Sequence, residues 1–309
     1  MKRVISFFPV LLLIFLTQFV KAQDNPVLDG AAPKEHIVGK TPIAYPYIRE
    51  ADEMYSKKVL RVIEMSEKIN HPLYFPITRI TYPGGLQPQR SRVNLLYLIY
   101  NIGILGEQYD YITGAMVEEA APIYESRYPV YRLDPLDLTN WYKAPIAKDD
   151  PLRDDLLAYE DTYKDYNADG YLIDMSTTAR LTDTRDMDRL WFWEEWVFDR
   201  QRSVLDVRII ALAPDGWRDD KRIWPFWIPF TDYRPLFSTY ETFNPFNDSE
   251  RRSFDDLFMK RRFTSYIVAE TNNYDNRLIS DYLLGIDAIR EGERIQDRIF
   301  TYEHDLWEY

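Results

Sequence analysis

The stretch WVFDRQRSVLDVRIIALAPDG (196–216) alternates apolar and charged positions. Val207, Ile209 and Ala211 share one parity, and Asp206 and Arg208 lie on the other. A period of two marks a strand with unlike faces, so Trp191–Asp199 and Val204–Ala213 are expected to form an antiparallel hairpin turning at Arg200–Ser203. IWPFWIPF (223–230) is also strand-like, and its prolines, lacking backbone donors, predict a sheet edge. Elsewhere the period is nearer that of a helix. Ala51, Met54, Tyr55, Val59, Val62, Ile63 and Ile69 recur at three-to-four spacing, which predicts a helix over 49–70 that ends at Asn70 and Pro72. SRVNLLYLIYNIGILGEQ (91–108) is apolar almost all round and predicts a buried helix, weakened in its last turns by Gly103 and Gly106.

Ser253 with Asp256 fits a capping box. Phe254, Leu257, Phe258, Arg261 and Tyr266 then share one side of a helix expected to run on to Glu270. A last helix begins near Ile286 and carries Ile289, Ile295, Ile299 and Phe300. LYFPITRITYPGG (73–85) holds a short strand before a turn, and 109–120 reads as a polar loop with a short helical stretch. Residues 121–188, rich in proline and acids, read as a linker or insertion with a helix near Pro151–Lys164. The expected fold class is α+β, with a helical part over 49–120 and a C-terminal antiparallel sheet flanked by helices over 189–309.

Composition changes this picture at the N-terminus. Lys2 and Arg3 precede an apolar run from Val4 to Val20, and Val20-Lys21-Ala22 ends in a small residue. Residues 1–22 therefore read as a secretory signal peptide cleaved after Ala22; the run is short for a membrane anchor and carries Pro9, Thr17 and Gln18. Residues 23–48, with Pro26, Pro33, Pro42 and Pro46, read as an extended arm. Without cysteine the chain has no disulfide, no thiolate metal site and no residue for lipid attachment. Beyond residue 22 it holds 35 basic and 50 acidic residues, a balance of −15 that argues against nucleic acid as a partner.

Candidate chemistry is sparse. In DYNADGYLIDMS (165–176), Asp165, Asn167, Asp169 and Gly170 occupy positions 1, 3, 5 and 6 of a calcium loop, but position 12 is Ser176 rather than glutamate. The stretch is either a calcium site or a solvated turn rich in Asp and Asn. His304, between Glu303 and Asp305, and the paired acids Glu118-Glu119, Glu194-Glu195 and Asp255-Asp256 lack the separation that a metal site or a glycosidase needs. No nucleophile elbow, phosphate loop or dinucleotide fingerprint is present, and no cofactor is implied. WFWEEWVF (191–198) and WPFWIPF (224–230) place large aromatics on both faces of the sheet, including Trp193 and Trp227. Such rings serve a core, a protein interface or a carbohydrate platform.

Four stretches carry a resemblance: ADEMYSKKVLRVIEMSEKINHPLYFP (51–76), WVFDRQRSVLDVRIIALAP (196–214), NDSERRSFDDLFMKRRFTSYIVAETNNYDN (247–276) and ERIQDRIFTYEHDLWEY (293–309). Together they resemble the gliding-motility GldN family, also called PorN, of the type IX secretion system. The likeness extends along most of 49–309 and is weak over about 111–188, so the calcium-like loop gains nothing from it. The resemblance implies a non-enzymatic periplasmic component of a ring at the outer membrane. The ring is built with a lipoprotein, GldK or PorK, and faces the periplasmic part of the motor formed by GldL and GldM. No catalytic residue comes with it.

On this reading the charged residues of the hairpin serve an interface or a solvated face. The interface candidates are Arg200, Arg202, Arg208, Trp193 and Trp227. Charge reversal at Arg202 or Arg208 is expected to weaken assembly and leave folding intact. The alternative is a secreted or periplasmic carbohydrate-binding protein that uses its Trp-rich surface.

Overall fold

In this computed structural model the described residues are 41–76, 93–106, 187–218, 226–242, 244–247, 250, 252–274 and 276–307, with short segments between 79 and 181 and at 221–223. The signal-peptide segment and most of the arm lie outside them.

The predicted hairpin forms. Arg189–Asp199 (β4) and Val204–Arg218 (β5) pair antiparallel through the turn at 200–203, with a register shift between Trp193 and Glu194. They occupy the middle of an eight-stranded sheet. The other strands are Glu53–Glu64 (β1), Val130–Arg132 (β2), Pro145–Ile146 (β3), Lys221–Ile223 (β6), Phe226–Pro229 (β7) and Tyr266–Glu270 (β8). The order is β8-β1-β4-β5-β7-β2-β3, with β6 turning back along the far end of β5, and every pairing is antiparallel.

β1 overturns the helix expected over 49–70. Its second half, Val59–Ile63, is buried on both sides, so the run VLRVI shows no alternation. Spread over a strand covered on both faces, the apolar residues mimic helical spacing. Val59, Val62 and Ile63 are β-branched and favour the pleated form. β7 also departs from expectation, since it lies inside the sheet between β5 and β2. Pro229 is its last residue and stands at the N-cap of the next helix, which confines the missing donor to the strand end.

The helices cover the sheet. Leu95–Tyr97 (α1) starts with the Asn94 side chain accepting from the Tyr97 N–H at 2.7 Å, and it widens into a fully buried π-helical stretch over Leu98–Ile104. Gly103 is required there: a Cβ would stand 2.6 Å from Tyr233 Cε1. Phe230–Thr239 (α2) and Phe254–Met259 (α3) complete a core with Phe192, Leu212 and Ile228 of the sheet and Tyr97, Phe237 and Phe258 of the helices. Each such ring removed from water contributes roughly 2–3 kcal/mol before entropy is counted.

The capping box of α3 forms as predicted, with Ser253 Oγ accepting from the Asp256 N–H at 3.1 Å. The helix does not continue to Glu270. Arg261 adopts a positive φ of 50°, the Arg262 N–H donates to Leu257 O at 3.0 Å, and the chain turns into β8. Ile286–Trp307 (α4) forms as expected and buries Ile295 and Ile299 against Val59, Trp196 and Ile267. Gly292 lets it approach, because a Cβ there would meet Ile267 O at 2.7 Å.

The middle region is partly described. Ala158–Tyr166 and Leu172–Leu181 form a two-stranded ribbon, so residues 158–164 are a strand where a helix was expected. Tyr159, Thr162 and Tyr163 are strand formers, which overrides the helical reading. Arg79–Thr81 and Gly85–Gln87 pair as a short hairpin, and Tyr109–Asp110 pairs with Ala115–Met116. Among the described residues no helix is long and apolar enough to cross a membrane.

Candidate interaction site at the hairpin end

The turn between β4 and β5 is organised by Asp199. Its Oδ1 accepts from the Gln201 N–H at 2.9 Å, its Oδ2 accepts from Arg202 Nε at 2.5 Å, and Ser203 takes a positive φ of 52°. The Arg202 hydrogen bond holds the Asp199 carboxyl below the usual carboxylate range. Arg202 also reaches Asp206 at 3.2 Å, and Arg208 reaches the same carboxylate at 3.2 Å. The alternating charges of the opening stretch therefore pair with one another along one strand end.

The last residues of the arm close over this end. Pro42 and Pro46 keep the segment extended. The Pro46 carbonyl accepts from Arg208 Nη2, and the Tyr45 hydroxyl accepts from the Ile209 N–H at 3.3 Å. Two guanidinium groups lie over the Tyr45 ring, Arg208 at 5.5 Å and Arg234 at 5.1 Å. Burial pushes the Tyr45 phenol up from its ordinary value. Arg234 is itself held by a bidentate pair to Asp255, at 2.8 and 3.2 Å. Further on, Asp52 O accepts from the Arg200 N–H at 2.9 Å, and Arg49 pairs with Asp52 at 2.6 Å. The arm thus joins the hairpin turn, α2 and α3 into one body.

A second charged cluster lies within the sheet. Glu194 is fully buried. Its Oε1 accepts from Arg261 Nη1 at 2.5 Å, its Oε2 accepts from Trp196 Nε1 at 3.1 Å, and Arg61 Nε stands 4.0 Å away. Arg61 also donates to Ser265 Oγ and Ser265 O, each at 2.9 Å. Burial lowers the Arg61 pKa, and the Glu194 charge opposes that shift. Glu195, on the opposite parity, accepts from Ser56 Oγ at 3.3 Å. The two adjacent acids thus face different environments and share no catalytic geometry.

The structure sorts the interface candidates. Trp193 and Trp227 are 3% and 0% exposed and pack together with Leu60, Ala211, Ala213 and Ala269. This corrects their reading as surface rings, since the chain's own core encloses them and they offer no platform to a sugar. Arg202 and Arg208 are committed within the chain, so reversing either would set a carboxylate against Asp199 or Asp206 and disturb the fold. Arg200 is exposed, and no partner is shown for its side chain among the described residues.

Asp165 lies in the ribbon, opposite Asp174, while Asn167 and Asp169 lie outside the described residues. His304 is exposed on α4, and among the described residues no group of three or more His, Asp or Glu side chains converges as a metal site. Sequence reasoning missed Tyr45, Arg234 and Arg261. The only signal for Tyr45 is an aromatic residue set between two prolines.

No curated protein matches the chain significantly. A family described as "Gliding motility associated protein GldN" matches residues 48–308, a span that starts at the end of the arm and takes in the eight-stranded sheet and the helices α1 to α4. The hairpin, the capped helix and the C-terminal helix thus fall inside one match, and the chain belongs to the GldN family.

Proposed function

We propose that this protein is a non-enzymatic structural subunit of the periplasmic ring of the type IX secretion and gliding machinery. In this reading it is exported by its signal peptide and held at the outer membrane by a GldK- or PorK-like lipoprotein. It meets other copies of itself within the ring and faces the periplasmic part of a GldM- or PorM-like motor protein. Family membership over residues 48–308 is the observation that carries this reading. The geometry supports it in two ways. The charged side chains that looked available for chemistry are spent on bracing the sheet, the arm and the helices against one another. Trp193 and Trp227, the candidates of the rival carbohydrate reading, lie inside the core.

The test is a deletion strain complemented with the wild-type gene. Loss of type IX export on deletion, restored by the full chain, supports the proposal. Normal export in the deletion strain contradicts it.

A further inference from the structure

The loop from Asn272 to the start of α4 is built to present one arginine. The Arg277 guanidinium lies over two tyrosine rings, 4.7 Å from the Tyr274 centroid and 4.5 Å from that of Tyr282. The loop is braced from within. Asn276, at a positive φ of 54°, accepts on its Oδ1 from the Asn272 N–H at 2.8 Å. Asn272 Oδ1 accepts from the Tyr274 N–H at 2.8 Å, and Asp281 Oδ2 accepts from the Leu278 N–H at 2.9 Å. Ile279 pins the loop to the body beside Ile295 and Ile299.

Arg277 is exposed, and among the described residues no carboxylate lies within ion-pair distance of it, although most of the described arginines are so paired. Contact with two rings holds the guanidinium in place, and among the described residues no carboxylate takes its N–H groups, which pre-organises a fork for a planar carboxylate. Just after Tyr282 in the chain, Leu284, Ile286 and Ile289 are 82%, 68% and 57% exposed. Tyrosine and arginine anchors next to apolar contacts are the composition of an interface hot spot.

We propose that Tyr274, Arg277 and Tyr282, with Leu284, Ile286 and Ile289, form a docking surface for a segment of another protein that carries an aspartate or glutamate next to apolar residues. The inference rests on reading the chain as a subunit of an assembly. Charge selects the occupant. Asp281 and Asp287 lie in the same stretch and the Glu291 and Glu270 carboxylates act on Tyr282, which disfavours a phosphate-rich membrane face, where several negative charges would approach together. A second copy would bring its own balance of −15 beyond residue 22 to this face, which favours a different protein here and leaves contacts between copies in the ring to other faces.

The test uses the full chain in cells that make the whole machinery. In the R277K variant a primary amine replaces the guanidinium, and carbodiimide treatment couples it to an adjacent carboxylate as an amide, with loss of water. Mass spectrometry is expected to find residue 277 joined to an aspartate or glutamate of a different protein, with no such link in the wild type. R277A is expected to weaken binding to that cross-linked protein by about 30-fold or more without changing the thermal midpoint. Three outcomes overturn the proposal: no cross-link, a cross-link only to this chain or a second copy, or co-sedimentation with phosphatidylglycerol vesicles that R277A abolishes. If the wild type restores export while R277K yields no cross-link, only this surface is refuted and the ring proposal stands.

Discussion

Glu194 provides the sharpest test of how the sheet is held. Changing Glu194 to alanine removes a carboxylate that is 0% exposed and leaves Arg61, whose side chain is 9% exposed, without its counter-charge. It also removes the acceptor of Trp196 Nε1 and of Arg261 Nη1. Breaking a buried pair from one side costs roughly 3–5 kcal/mol, because the remaining charge stays desolvated. Arg61 keeps its two bonds to Ser265, which places the expected loss at the lower end, about 3 kcal/mol. For a chain of this size that corresponds to a fall in thermal midpoint of roughly 6 °C or more. Arg261→Ala should cost less, about 1–2 kcal/mol, because that side chain is 35% exposed and Glu194 keeps the Trp196 N–H at 3.1 Å and Arg61 at 4.0 Å. Urea denaturation of the purified chain, followed by tryptophan fluorescence, reads both values. A loss below about 1 kcal/mol for Glu194→Ala would refute the idea that this cluster ties β1 and β4 to the turn after α3.

Other predictions follow from the same geometry. Gly292→Ala should destabilise the protein by about 2 kcal/mol despite the better helix propensity of alanine, because the new methyl meets the backbone of Ile267; calorimetry showing a gain would contradict the packing of α4. Arg208→Ala should release the arm, so chymotryptic cleavage within residues 45–48 should speed up roughly tenfold while the midpoint moves little. The Glu250 carboxyl is pulled down to about 2, first by its hydrogen bond with Arg252 and further by Arg262. Its folded pKa is depressed, so its stabilising contribution is present above the unfolded value near 4 and is lost as pH falls from about 4 towards 2. An NMR titration placing the Glu250 midpoint at or above 4 would contradict that pairing. Arg200→Glu is the clean test of the hairpin end as a contact surface, since it disrupts no internal pair; it should weaken assembly with no change in midpoint, and unchanged assembly would remove that end from the interface.

The sequence was readable where one face of an element is wet. The β4–β5 hairpin alternates because charged residues such as Asp206 and Arg208 line one side of β5, and α4 shows its stripe because only one side is buried. Legibility failed where both sides are covered. Val59–Ile63 reads VLRVI, buried throughout and interrupted by Arg61, which fits either period, and only the neighbouring strands decide it. The end of α3 was hidden for another reason. Arg261 occupies a position where glycine would announce a helix stop, and its side chain is drawn 67 residues back to Glu194. The tryptophans misled because ring count along a strand does not reveal which rings their own core encloses. Of the arm, residues 41–48 are described, and their grip on Arg208 and Arg234 depends on contacts that no local pattern encodes.

We propose a ring subunit that requires a lipoprotein partner. Its most direct test is co-expression of the full chain with the GldK- or PorK-like lipoprotein, purification through a tag on the lipoprotein, and negative-stain microscopy. The account predicts a stable complex that forms closed rings. A chain that elutes alone as a monomer, with the lipoprotein free of it, would contradict the account.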